Sequence, residues 1–313
     1  MEILRSIDAL ARIDKPVVLA AGVFDGMHLG HQAVLQAAHE TAARIDGIAV
    51  ALTFDPHPAA VLRPSNAPRL LTSTEFKLRL MERFGIQHAL VLPFNSTLAS
   101  IEAEDFILQI CRATPELAGI CIGEGWMFGH ARRGDSRLLR TLGMRNGFFT
   151  NEVAPICLDG DVVSSTLIRE ALAAGRLDKV SRLLGRHHAI PGTVLHGEGV
   201  GRKLGFPTAN LATNEEQFPP DGVYIVRVDA AGASHHGVAN IGFRPTLSGA
   251  RGRVLEAHLF DFDGDLYGAR IEVAFLHFLR SEIKFESAAA LRTQIARDVA
   301  TARVWFGDPP TVP

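Results

Sequence analysis

The chain has 313 residues, of which 47% are hydrophobic and 21% charged; this is typical of a globular protein, and the length predicts about two domains. Its net charge of −2 gives no support for a nucleic-acid-binding protein. The 3 cysteines are too few and too scattered for a disulfide framework or a zinc site, and we predict that Cys111, Cys121 and Cys157 are buried.

The hydropathy pattern does not indicate a membrane protein. Residues 1–10 lack the apolar core of a secretion signal, and no later apolar run approaches the length of a membrane span. We therefore expect a cytoplasmic protein without membrane contact. No stretch of the sequence indicates a protein partner.

The first motif is a glycine-rich turn between a strand and a helix. The apolar run Val17–Ala21 has the length and β-branching of a buried strand, and residues 33–44 have a helical pattern. His28 and His31 precede that helix, where unpaired N–H groups and the helix dipole attract phosphate. The turn matches neither a Walker A loop nor a G-x-G-x-x-G fingerprint. The alternative is a helix start with two solvated histidines.

Strand and helix patterns then alternate, which predicts a doubly wound parallel sheet. The next strand, at residues 48–54, is followed by Asp-Pro-His-Pro, which places His57 at the carboxyl edge of the sheet, where such sheets bind ligands. Further strands are predicted at residues 89–94 and 119–123, and helices at residues 74–84 and 102–111.

The loop after the strand at 119–123 combines aromatic and cationic residues. Trp126 and Phe128 offer faces for stacking on an aromatic ring, and Arg132 and Arg133 suit a polyphosphate. Solvated arginines beside two aromatic residues of the core are the alternative.

Another polar segment begins a helix predicted at residues 167–174. The hydroxyl groups of Ser164, Ser165 and Thr166 suit the cap of that helix. Arg169 lies one turn into the helix and would face whatever the cap binds. Capping explains the serines but not the arginine.

The pattern changes near Arg186, where we place a boundary between domains of residues 1–186 and 187–313. Short alternating strands beyond it predict an antiparallel β-barrel, followed by a helix at residues 287–305. The barrel strands are predicted at residues 189–195, 222–228, 237–241, 254–260 and 270–278.

The first loop of the barrel half carries groups that suit a nucleotide. In residues 196–210, Arg202 and Lys203 supply cations, and the glycines let backbone N–H groups surround phosphates. Thr208 and Asn210 point the same way on an extended segment and offer the oxygen ligands that Mg²⁺ prefers. The alternative is a flexible glycine loop between strands.

One carboxylate stands inside a predicted barrel strand. Glu256 shares a strand face with His258, and it is either a solvated outer-face residue or a base aimed at a substrate hydroxyl. Spacing alone does not decide between the two. The run that begins at Asp261 imitates an EF-hand loop, but Leu266 replaces the glycine that such a loop needs, so we expect no calcium there.

Taken together, these segments resemble the bacterial bifunctional riboflavin kinase/FAD synthetase family over about residues 17–302. The resemblance depends on many separate motifs in the same order. In the N-terminal half the matching segments are residues 22–32, 53–58, Gly129 with 133–135, and 164–169. In the C-terminal half they are residues 205–211, 237–242 with 244–246, 256–261, 265–268 and 280–285.

The resemblance implies a nucleotidyltransferase-type N-terminal domain, a kinase barrel and two reactions. The barrel would transfer the γ-phosphate of ATP to riboflavin, giving FMN and ADP. The N-terminal domain would transfer AMP from a second ATP to FMN, giving FAD and pyrophosphate. The implied cofactor is Mg²⁺, and the implied partners are the small molecules riboflavin, FMN and ATP.

The same resemblance assigns roles to individual residues. Catalytic roles fall to His28 and His31 at the α-phosphate, Arg169 at the outer phosphates, and Glu256 as the kinase base. The implied ATP contacts are Gly22, Phe24, Asp25, Gly30, His57, Ser165, Thr166, Gly201, Arg202 and Lys203. The implied flavin contacts are Trp126, Phe128, Gly205, Pro207 and Arg280, and the implied Mg²⁺ ligands are Thr208 and Asn210.

One loop departs from the family pattern. Where the family usually has Asp or Asn followed by Phe-Arg-Phe-Gly, this chain has Gly125 and then Trp-Met-Phe-Gly, so Met127 replaces a cation. The loss of one positioning contact costs roughly a hundredfold in rate. The departure leaves open a monofunctional riboflavin kinase with an impaired N-terminal domain. A non-catalytic flavin-binding regulatory protein is a third alternative, against which Thr208, Asn210 and Glu256 argue, because a binding protein needs no base.

Overall fold

The computed structural model describes residues 1–197, 199–213, 216–245 and 251–307. The chain divides into two compact units, Met1–Leu167 (unit 1) and Ile168–Pro313 (unit 2). Two residues of the motifs above, Glu198 in the glycine loop and Thr246 in a matching segment, lie outside the described residues.

Unit 1 alternates strands and helices. Its strands are β1 (Glu2–Leu4), β2 (Val17–Ala21), β3 (Ile48–Asp55), β4 (His88–Pro93), β5 (Leu117–Gly123), β6 (Phe149–Val153), β7 (Cys157–Leu158) and β8 (Asp161–Val162). Its helices are α1 (Leu29–Arg44), α2 (Pro58–Leu62), α3 (Thr74–Arg83), α4 (Ser96–Ala99), α5 (Ala103–Ala113) and α6 (Ser136–Asn146), with 3-10 turns at Ile7–Arg12, Pro64–Asn66 and His130–Arg132.

Helix α7 (Ser165–Ala173) begins in unit 1 and continues into unit 2. The described strands of unit 2 are β9 (Ala189–Leu195), β10 (Ala209–Ala212), β11 (Gly222–Ala230), β12 (Ala233–Pro245), β13 (Arg251–Leu259) and β14 (Arg270–Arg280). Its other described helices are α8 (Leu177–Leu184), α9 (Val200–Lys203) and α10 (Ala288–Phe306).

Strands β1 to β6 form one sheet in the order β1-β4-β3-β2-β5-β6, and every neighbouring pair is parallel. All residues of β2 are hydrophobic and buried, as expected for a strand covered on both faces. The strand order reverses at β2, whose neighbours are β3 and β5. The turn after β2 therefore leaves the sheet at a topological switch point, where open parallel sheets bind ligands. The predicted doubly wound sheet is confirmed.

The boundaries in unit 1 differ from the sequence pattern in a few places. Helix α1 begins at Leu29, four residues before the predicted start, because the His28 side chain caps its first turn. Strands β1 and β6 escape prediction because β1 has 3 residues and β6 is a half-exposed edge strand without an apolar run.

Strands β9 to β14 form a closed antiparallel barrel in the order β10-β13-β12-β11-β14-β9, which confirms the predicted barrel. On β13, Leu255, Ala257 and Leu259 are buried in the interior, whereas Glu256 and His258 are half-buried on the opposite face. Strand β12 is longer than predicted because it begins directly after a tight turn and pairs with β11 from its first residue.

The predicted C-terminal helix is confirmed as α10, which packs on the outer surface of the barrel. Val299 and Ala302 lie in one hydrophobic cluster with Val223, Ile225 and Val238 of the barrel strands. These side chains lose contact with water only when the helix is in place, so burial of apolar area holds α10 against the strands.

Two ion pairs also fix α10 to the barrel. The Arg280 guanidinium donates to both carboxylate oxygens of the buried Asp298, at 2.7 to 3.0 Å. Arg303 donates two hydrogen bonds, of 2.7 and 2.9 Å, to the Asp261 carboxylate, which lower the pKa of that carboxyl below its ordinary value. Arg280 was predicted as a flavin contact; its guanidinium is instead seen bound to a carboxylate of the helix, and the flavin contact stays a prediction.

Within the described residues, no helix is long and apolar enough to cross a membrane. Nor does any group of three or more His, Cys, Asp or Glu side chains in that part of the chain form a cluster able to hold a metal ion. Cys121 is buried and Cys111 half-buried, but Cys157 is exposed. The prediction of three buried cysteines is therefore wrong for Cys157, because it lies in the short β7–β8 hairpin rather than in the sheet.

Candidate functional site

The turn after β2 has an unusual backbone. Phe24, Gly26 and Met27 all have left-handed conformations, with φ of +56°, +87° and +46°. A Cβ at Gly26 would lie 2.8 Å from the Leu71 side chain, so both the backbone angle and the close approach require glycine there. The neighbouring residues Phe24 and Met27 are buried, so the turn is packed rather than solvated.

The segment before α3 holds this turn in place. The buried Asp25 carboxylate accepts the N–H groups of Leu71 and Thr72 at 2.9 and 3.0 Å, and Thr72 Oγ1 accepts the Gly26 N–H at 3.0 Å. Ser165 Oγ donates to the Asp25 carbonyl at 2.8 Å. The predicted ATP residues Asp25 and Ser165 therefore fix the turn, while their contact with ATP stays a prediction.

His28 and His31 meet at the start of α1. The His28 Nδ1 accepts the His31 N–H at 3.3 Å, and the two rings stack with centroids 3.6 Å apart. Because Nδ1 of His28 accepts a hydrogen bond, its proton is assigned to Nε2, which is then a donor. The structure thus brings the two predicted catalytic histidines together at the N-terminus of a helix.

The environment of His31 keeps its ring neutral. Burial, helped by His28 and by Lys77, lowers the pKa of His31 well below 6.5. Its ring lies edge-on to Phe24, with centroids 5.3 Å apart, and its Nδ1 is buried without a hydrogen-bond partner among the described residues. A neutral imidazole beside a helix N-terminus can donate one hydrogen bond to a phosphate oxygen.

Lys77 is a residue of this site that was not predicted from the sequence. Its side chain is buried, and the ammonium donates to the Val23 carbonyl at 3.0 Å and to Thr53 Oγ1 at 2.9 Å. Burial lowers the pKa of Lys77 to about 8, against the opposite effects of Asp25 and Asp55. A signal was available, because Lys77 lies on the core-facing side of a helix whose other buried residues are apolar.

Three further predicted ATP residues of unit 1 are His57, Gly22 and Gly30. His57 caps α2 at the carboxyl end of β3, its Nδ1 accepting the Ala59 N–H at 3.1 Å. A Cβ at Gly22 would meet the Phe24 ring at 3.1 Å, and one at Gly30 would meet the His28 ring at 3.2 Å, so both glycines leave room for the rings of the turn.

The cap of α7 is only partly as predicted. Ser164 Oγ accepts the Leu167 N–H at 3.3 Å, which confirms a serine cap, and Thr166 is exposed. Arg169 is half-buried and lies in unit 2, so its predicted approach to the phosphates stays a prediction.

The two aromatic residues of the loop after β5 differ in burial. Phe128 belongs to the core and packs on Gly134, where a Cβ would lie 2.7 Å from its ring. Trp126 is half-buried and stacks on Phe128 with centroids 4.7 Å apart. Arg132 and Arg133 are exposed. The core position of Phe128 agrees with the alternative that the sequence left open, and Trp126 is the more accessible ring for a flavin.

Gly125, where this chain departs from the family pattern, has open space around it. Gly125 has φ of +75°, and a Cβ there would meet nothing within 4 Å. Met127 is 38% exposed. No other side chain therefore occupies the space that the polar side chain at 125 would take, and the loop is accessible to solvent.

In unit 2 the barrel register places Glu256 between two amides. Glu256 is directly opposite Asn210 on β10 and Asn240 on β12. Side chains at directly opposite positions of antiparallel strands lie about 4.5–5.5 Å apart at Cβ. Asn210, Glu256 and Asn240 thus form a polar row on the outer face of the barrel, and each is half-buried.

The glycine loop closes around the two predicted Mg²⁺ ligands. A Cβ at Gly197 would lie 2.4 Å from Asn210 Nδ2, and one at Gly201 would lie 3.1 Å from Thr208 Oγ1. These glycines therefore allow the loop to approach both side chains closely. A cavity of about 280 Å³ opens beside Thr208, lined also by Arg202, Asp263, Asp265, Tyr267 and residues of β13.

Of the other predicted residues of the loop, Arg202 and Pro207 line this cavity. Arg202 lies over the Tyr267 ring at 5.9 Å from its centroid, while Lys203 is exposed at the end of α9. Gly205 has φ of +89° with nothing near its Cβ position, and the Pro207 carbonyl is 2.7 Å from His258 Nδ1. Arg202 and Thr208 face one cavity, which agrees with the predicted nucleotide contacts without testing them.

Two family models match the chain. The model described as FAD synthetase matches residues 10–167, and the model described as riboflavin kinase matches residues 184–306. A bifunctional riboflavin kinase/FMN adenylyltransferase from Haemophilus influenzae is 38% identical over 98% of this chain and 99% of its own length. One from Pseudomonas fluorescens is 40% identical over 97% of each chain. This chain belongs to the bifunctional riboflavin kinase/FMN adenylyltransferase family.

A solved structure agrees in fold over the same length. A protein from Streptococcus pneumoniae, described as a macrolide-efflux protein, is 28% identical, with a TM-score of 0.84 over 97% of this chain and 100% of that chain. Residues 168–183 are matched by neither family model. The contact division at Leu167 and the predicted boundary near Arg186 lie at the two sides of this interval, and the boundary stays a prediction.

We predict that Gly125→Asn raises the rate of FAD formation from FMN and ATP about tenfold, because an asparagine tolerates the left-handed backbone and returns a polar group to an open position of the flavin loop. The measurement is kcat/KM for FMN with saturating ATP.

Gly147→Asn is the matched control, since Gly147 also has a left-handed backbone, at φ of +80°, and open space, but caps α6. Equal rates for both variants and the wild type would show that the side chain missing at 125 does not limit adenylylation.

Proposed function

We propose that the barrel of this chain phosphorylates riboflavin with ATP, and that unit 1 transfers AMP from a second ATP to the resulting FMN. The observation that carries the proposal is that each half holds its own polar site of the required chemistry. The stacked histidines lie at the switch point of the parallel sheet, and the row of Asn210, Glu256 and Asn240 lies beside the glycine loop.

In the kinase half, Glu256 acts as the general base. Its carboxylate accepts the proton of the terminal ribityl hydroxyl as that oxygen forms a bond to the γ-phosphorus. The bond between that phosphorus and the β–γ bridging oxygen breaks, and ADP leaves. Asn210 and Asn240, opposite Glu256 on both neighbouring strands, hold polar hydrogen-bonding groups around the carboxylate. Gly205 and Pro207 contact the flavin, and Gly201, Arg202 and Lys203 contact the nucleotide.

We propose Thr208 and Asn210 as the protein ligands of Mg²⁺ in this half. The hydroxyl and amide oxygens are hard donors, and glycines 197 and 201 leave space around both side chains. A site with so few protein ligands is typical of Mg²⁺ shared with substrate phosphates. The bound cation would neutralise charge on the transferred phosphoryl group.

In unit 1, the FMN phosphate attacks the α-phosphorus of ATP. A bond forms between an FMN phosphate oxygen and that phosphorus, the α–β bridging bond breaks, and pyrophosphate leaves. His28 and His31 donate hydrogen bonds to the α-phosphate oxygens as they gain charge. Ser165 and Thr166, at the start of α7, bind the outer phosphates, and Trp126 stacks on the flavin.

The two reactions form a sequence, because the FMN released by one is the acceptor for the other. We also propose that the enzyme acts in the cytoplasm. We assign residues 1–186 to the adenylyltransferase and residues 187–313 to the kinase.

The test of the function is incubation of the purified chain with riboflavin, excess ATP and Mg²⁺, followed by chromatography of riboflavin, FMN and FAD. We expect FAD as the final product, with FMN as a transient. Accumulation of FMN without FAD would contradict the adenylyltransferase half, and unchanged riboflavin would contradict both halves.

We expect Glu256→Gln to abolish FMN formation while FAD formation from supplied FMN continues, because the amide cannot accept the hydroxyl proton. His28→Ala should give the reverse, lowering FAD formation roughly a hundredfold and sparing FMN formation. Both rates are measured on each variant from the same chromatograms.

Glu286→Gln and His39→Ala are the controls, since both residues are exposed, in the barrel half and on α1 respectively. A parallel loss of both activities in either test variant would contradict the division of labour between the domains.

Removal of Mg²⁺ by a chelator should stop both reactions. Thr208→Val, which keeps the shape of the side chain and removes the oxygen, should raise the Mg²⁺ concentration that gives half-maximal FMN formation by about tenfold. Titration of MgCl₂ at fixed ATP measures this value. An unchanged Mg²⁺ dependence of FMN formation would show that Thr208 is not a ligand of Mg²⁺. As an internal control, the Mg²⁺ dependence of FAD formation by the same variant should match that of the wild type.

A further inference from the structure

Lys77 lies directly beneath the turn that carries the stacked histidines. It is the third residue after the start of α3 at Thr74, and its side chain reaches across to the ends of β2 and β3. The ammonium donates to the Val23 carbonyl, and Thr53 Oγ1 donates to the same carbonyl at 3.0 Å. Three groups thus form a closed hydrogen-bonded triangle at the point where the chain leaves the sheet.

The position of the Val23 carbonyl controls the turn that follows. The next residue, Phe24, has a left-handed backbone, which is costly for a residue with a large side chain. The two hydrogen bonds to the Val23 carbonyl fix the peptide plane that leads into this conformation. The Phe24 ring in turn contacts His31 edge-on. The ammonium of Lys77 is therefore connected to the His31 ring through one peptide group and one aromatic ring.

Lys77 also acts on His31 through its charge. Its positive charge is one of the causes that lower the pKa of His31, together with burial and His28. A cation buried behind the phosphate-binding turn contributes positive potential to a site for a polyanion. It also disfavours a second positive charge on the imidazole.

We propose that Lys77 is a positioning residue of the adenylyl-transfer site, whose ammonium fixes the Val23 carbonyl beneath the turn and holds His31 as a neutral hydrogen-bond donor. The inference rests on the adenylyl-transfer activity proposed above. Lys77 acts through the turn and through His31 and is not assigned a contact with substrate.

The charged groups around Lys77 come from three elements. Asp25 lies in the turn after β2, Asp55 lies at the end of β3, and both favour the charged ammonium. His31 faces it from α1 and is coupled to His28. Because burial outweighs the carboxylates, the pKa of Lys77 falls from 10.5 to about 8.

The sign of this shift shows how stability responds to the loss of the charge. Between about pH 8 and pH 10.5 the unfolded chain binds more protons than the folded chain, so the free energy of unfolding rises with pH in that window. Below pH 8 the buried charge therefore costs stability. Lys77→Met removes that cost, and the Val23 carbonyl still accepts from Thr53, so we expect a folded variant at pH 7.

The test is Lys77→Met in the full chain, assayed for both reactions. We expect kcat for FAD formation from FMN to fall at least about tenfold, with FMN formation from riboflavin within twofold of the wild type. In the wild type, FAD formation should also decline as pH rises through about 8, where Lys77 loses its proton, and this decline should be missing from the variant. Lys15→Met, an exposed lysine of unit 1 paired with Asp46, is the matched control.

A second readout does not depend on activity. Histidine labelled with ¹³C at ε1 gives a titration for His31, assigned by its absence in His31→Gln. The pKa of His31 should rise in Lys77→Met, because one of its lowering causes is gone. It should stay unchanged in Thr53→Val, which removes two hydrogen bonds of the triangle and keeps the charge of Lys77. Thr53→Val should lower kcat for FAD formation by a smaller factor than Lys77→Met.

The possible results test the proposed adenylyl transfer and the role of Lys77 separately. If the wild type forms no FAD, the proposed adenylyl transfer fails, and a His31 pKa that still rises in Lys77→Met would support the electrostatic part alone. If the wild type forms FAD and Lys77→Met matches it, or if the His31 titration does not move, the inference about Lys77 is wrong. This holds even where Lys77→Met loses rate, because a merely structural role of Lys77 would lower the rate and leave the His31 titration unchanged.

Discussion

The hydrogen bonds that hold the turn between β2 and α1 are the constraint on which the first site depends. Two of its residues that carry side chains, Phe24 and Met27, have left-handed backbones, and each such residue costs about 1–3 kcal/mol. The cost is offset because Asp25 accepts two backbone N–H groups from the segment before α3, while Lys77 reaches the carbonyl of Val23 from the same helix. With the turn fixed, α1 begins early enough for its first N–H groups and both histidines to face one region.

The second site is fixed by a different device, the register of a closed barrel. Glu256 stands opposite Asn210 and Asn240 because β13 pairs with β10 on one side and with β12 on the other. A slip of one residue would turn Glu256 into the barrel interior and bring Leu255 to the polar face, exchanging a buried apolar group for a carboxylate. The same hydrophobic interior that stabilises the barrel therefore also keeps the proposed base on the outer face beside the glycine loop.

The sequence predicted most of the architecture because its strands and helices have strong periodicity. The sheet, the barrel and the final helix all follow from apolar patterns. The positions of His28 and His31 follow from the glycine-rich turn between the first buried strand and the first helix. What it could not predict depends on tertiary neighbours. Periodicity counts Lys77 as an interruption of an apolar face, and only the fold shows the carbonyl that it binds. Likewise, the burial of Phe128 and the pairing of Arg280 with Asp298 depend on elements distant in the chain.

The contrast between the two sites follows from their nucleophiles. A ribityl hydroxyl is neutral at pH 7 and must lose its proton as it attacks, so the kinase site requires a base, the role that we propose for Glu256. The FMN phosphate is already largely ionised at that pH, since the second pKa of a phosphate monoester is about 6. Adenylyl transfer therefore needs no base, and a carboxylate facing the α-phosphate would repel both reactants. A neutral imidazole donor such as His31, with the cation of Lys77 buried behind it, would suit that reaction, because it would stabilise the charge gained by the α-phosphate without competing for a proton.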